Sequence, residues 1–229
     1  MIDIPVAIIV GGTGGIGTCI MDEFQAHGYH VWGISRKEKN QDNWVCVNSI
    51  EKIEQALEHI YDVCGRIDVL VNAAGKTIES PALMTDIDEW NDVFKVNSQY
   101  AFIWSCSVAK YMMLAKFGRI ILFSSIVARY GGRGECAYAA SKAAIEALVR
   151  VLALELGSRN ITVNAIAPGV IKTGMTKSIV EQYGDMLLKA IPVHRFGDPQ
   201  EVAKLAVFLA SAGYINGQTI AIDGGLGIG

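Results

Sequence analysis

The sequence predicts an α/β fold: a doubly wound parallel sheet of about seven strands with helices on both faces. Three observations point there. Short apolar runs alternate with longer helix-period segments along the whole chain. The runs are β-branched and almost continuously apolar, as strands covered on both faces must be. No repeat, low-complexity segment or linker breaks the 229 residues, so one domain spanning 1–229 is expected.

In order, VAIIV (6–10) reads as the first strand and opens through a glycine cluster into a helix at 15–27. HVWGIS (30–35) and WVCV (44–47) read as the next two strands. Only residues 36–43, RKEKNQDN, separate them, too short and polar for a packed crossover helix. A bare loop and a thinly covered sheet edge are expected there. A helix at 50–64 leads to IDVLVNA (67–73), a long helix at 87–116 to RIILFSS (119–125), and a helix at 136–157 to ITVNAIAP (161–168). Residues 174–196 read as a mobile lid, or equally as a helix packed on the body. A helix at 199–211 and the strand QTIAID (218–223) complete the pattern.

Composition excludes several classes. The net charge is −3 with both signs interspersed, so no basic stripe marks a nucleic-acid partner. The histidines (27, 30, 59, 194) show no metal-ligand spacing. The five cysteines (19, 46, 64, 106, 136) contain no C-x-x-C and suit free thiols in a reducing cytoplasm. Cys136, near Tyr138, is expected as a small buried apolar residue. VAIIV follows the start with no basic region before it, so no secretory leader is expected. No apolar stretch approaches the ~20 residues of a membrane span.

The glycines 11, 12, 14, 15 and 17 lie between the first strand and the first helix. Glycine permits a tight turn and lets backbone approach a pyrophosphate, while the helix N-terminus offers free N–H groups. This placement points to a dinucleotide and a Rossmann-type site. The second strand ends in Ser35, Arg36 and Lys37, where an NAD site holds an acid. A hydroxyl and a guanidinium suit a 2′-phosphate, so NADPH/NADP⁺ is expected rather than NAD. Solvated loop charges are the alternative for Arg36 and Lys37.

YAASK (138–142) begins an alanine-rich helix with a phenol and an ammonium one turn apart. With the glycine loop, this pair makes the chain resemble the short-chain dehydrogenase/reductases along essentially its whole length. The glycine motif stands as VGGTGGIG (10–17), the segment after the fourth strand as NAAG (72–75), and the serine strand as ILFSS (121–125). NAIAPGVIKTGM (164–175), HRFGDPQEVAKLAVFLAS and GQTIAIDGG follow in the family's order. The resemblance implies cofactor contacts from Gly11, Gly12, Thr13, Gly14, Gly15, Ile16 and Gly17. It implies further contacts from Ser35 and Arg36, from Asn72, Ala73, Ala74 and Gly75, and from Tyr138 and Lys142. Pro168, Gly169, Val170, Ile171 and Thr173 complete the implied contacts. Val10 and Ala73 depart from the family's Thr and Asn. The family's adenine-side acid is missing, with Cys46 or Asn48 near its place.

The resemblance implies a catalytic set of Asn97, Ser125, Tyr138 and Lys142. Reducing a carbonyl needs a hydride on carbon and a proton on oxygen. An ordinary phenol titrates near ~10. An ammonium about 4 Å away at an effective ε of 20 could draw it down two to three units, before desolvation opposes this. Tyr138 is then the expected proton donor, with Ser125 hydrogen-bonded to the substrate oxygen. From the resemblance alone, Lys142 holds the nicotinamide ribose and Asn97 ties a water to it.

Among family members, the chain is most similar to 3-oxoacyl-[acyl-carrier-protein] reductases and related acetoacetyl-CoA reductases. Lys116 and Arg159 fall at positions that dock the acidic carrier in the former, although surface charges at helix C-termini read equally well. Arg129 and Arg133, between Ser125 and Tyr138, could also face an acyl-phosphopantetheine. Fatty-acid, polyketide and polyhydroxyalkanoate synthesis all use such reductases. Another alcohol, polyol or sugar dehydrogenase of the family, and a non-catalytic dinucleotide-binding protein, stand as alternatives. The resemblance implies a homotetramer, with the helices at 87–116 and 136–157 as a dimer surface.

Overall fold

The structure, a computed structural model, describes residues 3–39 and 41–228. Seven parallel strands form one sheet in the order β3-β2-β1-β4-β5-β6-β7. They are β1 (Val6–Val10), β2 (His30–Ser35), β3 (Trp44–Cys46), β4 (Val69–Asn72), β5 (Gly118–Phe123), β6 (Ile161–Pro168) and β7 (Thr219–Ile222). The helices are α1 (Gly15–Ala26), α2 (Lys52–Cys64), α3 (Ile87–Phe94), α4 (Tyr100–Ala115), α5 (Val127–Tyr130), α6 (Cys136–Leu156), α7 (Lys177–Ala190) and α8 (Pro199–Ser211). The long helix expected at 87–116 is two helices joined by a π-helical turn at Lys95–Gln99. Such turns are common at functional sites, and Asn97 sits in this one.

Strand alternation builds a core on each face. Ile8 pairs in register with Leu70, and Leu70 with Ile120. These three face one way with Trp32, Leu57, Trp104 and Val149. Their neighbours Ile9, Val71 and Ile121 face the other way with Phe24, Val202 and Leu209. Each fully buried aliphatic side chain contributes about 1.5–3 kcal/mol, and this explains why the strands lack a polar alternation.

The described residues of 36–43 form no helix, as the composition predicts. Trp44 supplies the missing cover. Its indole lies so close to Gly33 that a Cβ there would come within 2.8 Å of the ring. The strand order reverses between β1 and β4, and the crevice at their C-terminal ends is where such sheets bind ligands.

Candidate functional site

The glycine loop turns at the C-terminal end of β1. Gly11 takes φ +82°, and Gly14 N–H donates to its carbonyl at 3.0 Å. A Cβ on Gly17 would lie 2.1 Å from Gly11 O, so only glycine lets α1 approach the strand end this closely. Gly14 caps α1 with no side-chain hydrogen bond, and the first turn carries no acid. The N–H groups of that turn and its positive dipole end suit a phosphate. Gly12, an expected contact, packs inward beneath Met21 Sδ and Trp44 and, like Asn72, lines none of the cavities described below.

Three cavities sharing walls run across the strand ends. The first, about 280 Å³, holds Gly11, Thr13, Gly14, Ser35, Arg36 and Ala73–Gly75. Val47 and Ser49, the neighbours of Cys46 and Asn48, line it. Among the described residues no carboxylate lines it, and the Ser35 hydroxyl donates to Lys37 O. The second, about 340 Å³, holds Gly15, Ile16 and Gly17 with Ser125, Tyr138 and Lys142, and with Pro168, Gly169, Ile171 and Thr173. Asn72 lies beneath these walls, its Oδ1 accepting from Ala74 N–H at 3.2 Å. Val170 lines a third cavity of about 380 Å³, which Ser125, Tyr138, Gly169 and Thr176 share with the second. Glycine backbone, an acid-free helix start and a basic strand end form a cradle fitting a nicotinamide dinucleotide.

Four elements position the candidate set. Ser125 follows β5, and its Oγ accepts from Val127 N–H at the start of α5. Tyr138 and Lys142 share one face of α6. Lys142 is 3% exposed, and its Nζ donates to Phe123 O at 2.7 Å. Asn97 is held from three sides. Its Oδ1 accepts from Lys76 N–H, and its Nδ2 donates to Lys76 O and Ser141 Oγ. Asn97 Oδ1 and Lys142 Nζ both converge on Gly75, each 3.6 Å from where a Cβ would stand.

The expected lowering of the Tyr138 phenol does not occur in this structure. Burial pushes it up to about 12; the Ser125 hydroxyl opposes the rise and Glu135 adds to it. Burial also brings the Lys142 ammonium down to about 8. That ammonium is 5.7 Å from the Tyr138 ring centroid and is committed to a carbonyl, so desolvation outweighs its pull.

Several expectations about the surroundings are corrected. Lys116 and Arg159 are exposed just before β5 and β6, at the opposite end of the sheet from Ser125. They therefore do not border this chain's own cavity. Arg129 is turned to Glu146 and Thr219 O, and Arg133 does not line the third cavity. Cys136 is exposed, not buried. In the segment 174–196, Met175, Thr176, Ile179 and Leu187 do line the third cavity. Glu135, Thr77 and Leu226 line it as well and went unrecognised in the sequence. Glu135 stands three residues before Tyr138, a spacing that shares a helical face and could have revealed it. Leu226 carries no local signal.

The family described as Enoyl-(Acyl carrier protein) reductase matches residues 11–227. The 3-oxoacyl-[acyl-carrier-protein] reductase of Vibrio harveyi is 36% identical over 96% of each chain. That of Thermotoga maritima is 37% identical over 96% of this chain and 97% of its own. Among solved structures, a protein described as an NAD(P)-dependent gluconate 5-dehydrogenase from Beutenbergia cavernae, with NADP bound at low occupancy, superimposes with TM-score 0.92. It is 31% identical and covers 98% of this chain and 97% of its own. A protein described as a gluconate dehydrogenase from Agrobacterium tumefaciens gives TM-score 0.90 at 26% identity, covering 97% and 95%. With its dinucleotide cradle, this chain belongs to the short-chain dehydrogenase/reductase family of NAD(P)-dependent oxidoreductases acting on CH–OH/C=O groups.

Proposed function

We propose that the protein is an NADPH-dependent ketoreductase that reduces a 3-oxoacyl thioester, carried on acyl carrier protein or coenzyme A, to the 3-hydroxyacyl thioester. The observation that carries this reading is that Ser125 and Tyr138 form a wall common to the second cavity and to a largely apolar third cavity. Ile126, Val127, Ile179, Leu187 and Leu226 in that third cavity suit an acyl chain.

When bound, the cofactor supplies a hydride to the carbonyl carbon. The proton comes from Tyr138, which at about 12 is fully protonated at neutral pH. An alkoxide is a far stronger base than a phenolate, so charge developing on the substrate oxygen draws that proton across. The Ser125 hydroxyl donates to the same oxygen and holds it in place. Two donors meeting one oxygen suit a carbonyl better than a carbon–carbon double bond. Lys142, at about 8, remains mostly an ammonium at neutral pH and, as in the family it resembles, would hold the ribose hydroxyls of the bound cofactor. Asn97 acts as a positioning residue: its amide ties the Lys76 backbone to α6 through Ser141.

Ser35 and Arg36, with no acid among the described residues that line the first cavity, support a 2′-phosphate, hence NADPH. Exposed Phe102, Met113 and Leu114 on α4, with Val151 and Leu154 on α6, support assembly into a homotetramer. If Lys116 and Arg159 dock a carrier, they do so for a neighbouring subunit. A second reading, a sugar-acid or polyol dehydrogenase, is favoured by the likeness to the gluconate dehydrogenase structures. NADPH oxidation with acetoacetyl-CoA and a matching acyl-carrier-protein substrate, beside a polyol and keto-acid panel, tests both. Turnover of thioesters with NADPH ahead of NADH is expected. Turnover confined to sugar acids would overturn the thioester reading.

A further inference from the structure

Among the described residues, Glu135 is the one acid that lines the third cavity, and no lysine or arginine lines it. Its backbone forms a bridge with Ser80, and its N–H donates to Gly132 O at 3.2 Å. Although Glu135 caps α6, its side chain makes no capping hydrogen bond. The carboxyl instead leans over the turn before the helix, where a Cβ on Gly132 would collide with Oε2. Glu135 and Tyr138 line the same cavity, and the carboxyl adds to the rise of the phenol. Burial and Glu79 both hold the carboxyl above its ordinary range, and no cation offsets them. In the same wall Thr77 Oγ1 is buried without a hydrogen-bond partner. Among the described residues, the cavity wall thus offers a hydroxyl donor and a carboxyl group, but no lysine or arginine.

We propose that Glu135 sets the charge selectivity of the substrate cavity, admitting ketones that carry an ester, thioester or amide beside the reacting carbonyl and rejecting those that carry a carboxylate. The inference rests on reading this cavity as the substrate site. A carboxylate entering it would place a second carboxyl group beside Glu135 in a poorly solvated space whose wall holds no lysine or arginine among the described residues. An ester of the same shape brings no charge, and its carbonyl oxygen can accept from Thr77. This is discrimination by repulsion of the wrong ligand. It separates the two substrate classes named among the relatives, because a 3-oxoacyl thioester is neutral beside its ketone and gluconate carries a carboxylate.

Ethyl acetoacetate and acetoacetate present the same ketone with and without that charge. The test compares kcat/KM for the two with NADPH at mildly alkaline pH, in the wild type and in Glu135→Gln. The wild type is expected to prefer the ester, and Glu135→Gln to lower that preference about tenfold or more. Because both substrates meet the same variant, general damage to the fold cancels in the ratio. A preference unchanged in the variant, or a wild type that prefers acetoacetate, would overturn the proposal. If Glu135→Gln does not fold, Glu135→Ala carries the same expectation.

Binding of butyramide and butyrate to the NADP⁺-loaded protein, followed by NMR, reads the selection without turnover. Butyrate binding gained only on substitution supports the role of Glu135, and butyrate bound equally before and after removes it. Charge selection that persists while no thioester is reduced would end the thioester reading alone.

Discussion

Replacing Lys142 by Met is expected to stabilise the protein at neutral pH while abolishing its reductase activity. Lys142 is 3% exposed, and burial brings it from an ordinary 10.5 to about 8. At 1.36 kcal/mol per pH unit, keeping that ammonium buried costs about 3 kcal/mol wherever it is charged in both states. Met fills similar space without charge, but Phe123 O loses its 2.7 Å partner. An orphaned buried carbonyl costs about 1–3 kcal/mol. The net expectation at pH 7 is a gain of about 1 kcal/mol, or roughly 2–4 °C in Tm for a chain of this size.

The sign reverses at higher pH. Between about 8 and 10.5 the unfolded chain binds the proton that the folded one has released, so wild-type stability rises with pH. Across that window the wild type recovers about 3 kcal/mol that the variant cannot. The difference should pass from about +1 to about −2 kcal/mol in the variant's disfavour. Urea unfolding of both proteins, followed by tryptophan fluorescence at neutral and alkaline pH, measures it; other titrating groups cancel between the two. A variant that is less stable at pH 7, with a gap that does not change as pH rises, would refute the reasoning.

Three further outcomes are expected. Tyr138→Phe should lower kcat by about 10²–10⁴-fold with NADPH binding retained by fluorescence titration; retained turnover would remove Tyr138 as the proton donor. Gly17→Ala puts a Cβ 2.1 Å from Gly11 O, and the forced backbone shift should cost about 1–3 kcal/mol in urea unfolding and weaken NADPH binding. Trp44→Ala uncovers Gly33 and should destabilise by about 2–3 kcal/mol, less than a fully buried tryptophan because Trp44 is half-buried.

How much of this was legible in the chain itself depends on the range of the physics involved. Strand and helix identities follow from local patterns: VAIIV and ITVNAIAP can hide both faces only inside a covered sheet. The glycine loop was legible because turn, backbone approach and helix start lie within residues 10–17. Tyr138 and Lys142 were legible because one helical turn aligns them. That the described residues of 36–43 form no helix followed from the segment's length and polarity, but that Trp44 would cover the gap did not, since Gly33 meets it only through strand pairing. The extent of burial was the larger unknown. The sequence shows an ammonium four residues from a phenol, and Coulomb attraction alone would lower the phenol. Only the packed structure shows both groups stripped of water, which moves the phenol to about 12 and the ammonium to about 8. Tertiary structure likewise sent Lys116 and Arg159 to the far end of the sheet and brought Glu135, Thr77 and Leu226 to one cavity wall. Local chemistry is written in neighbouring residues, whereas solvation and the company a side chain keeps exist only once distant segments have packed.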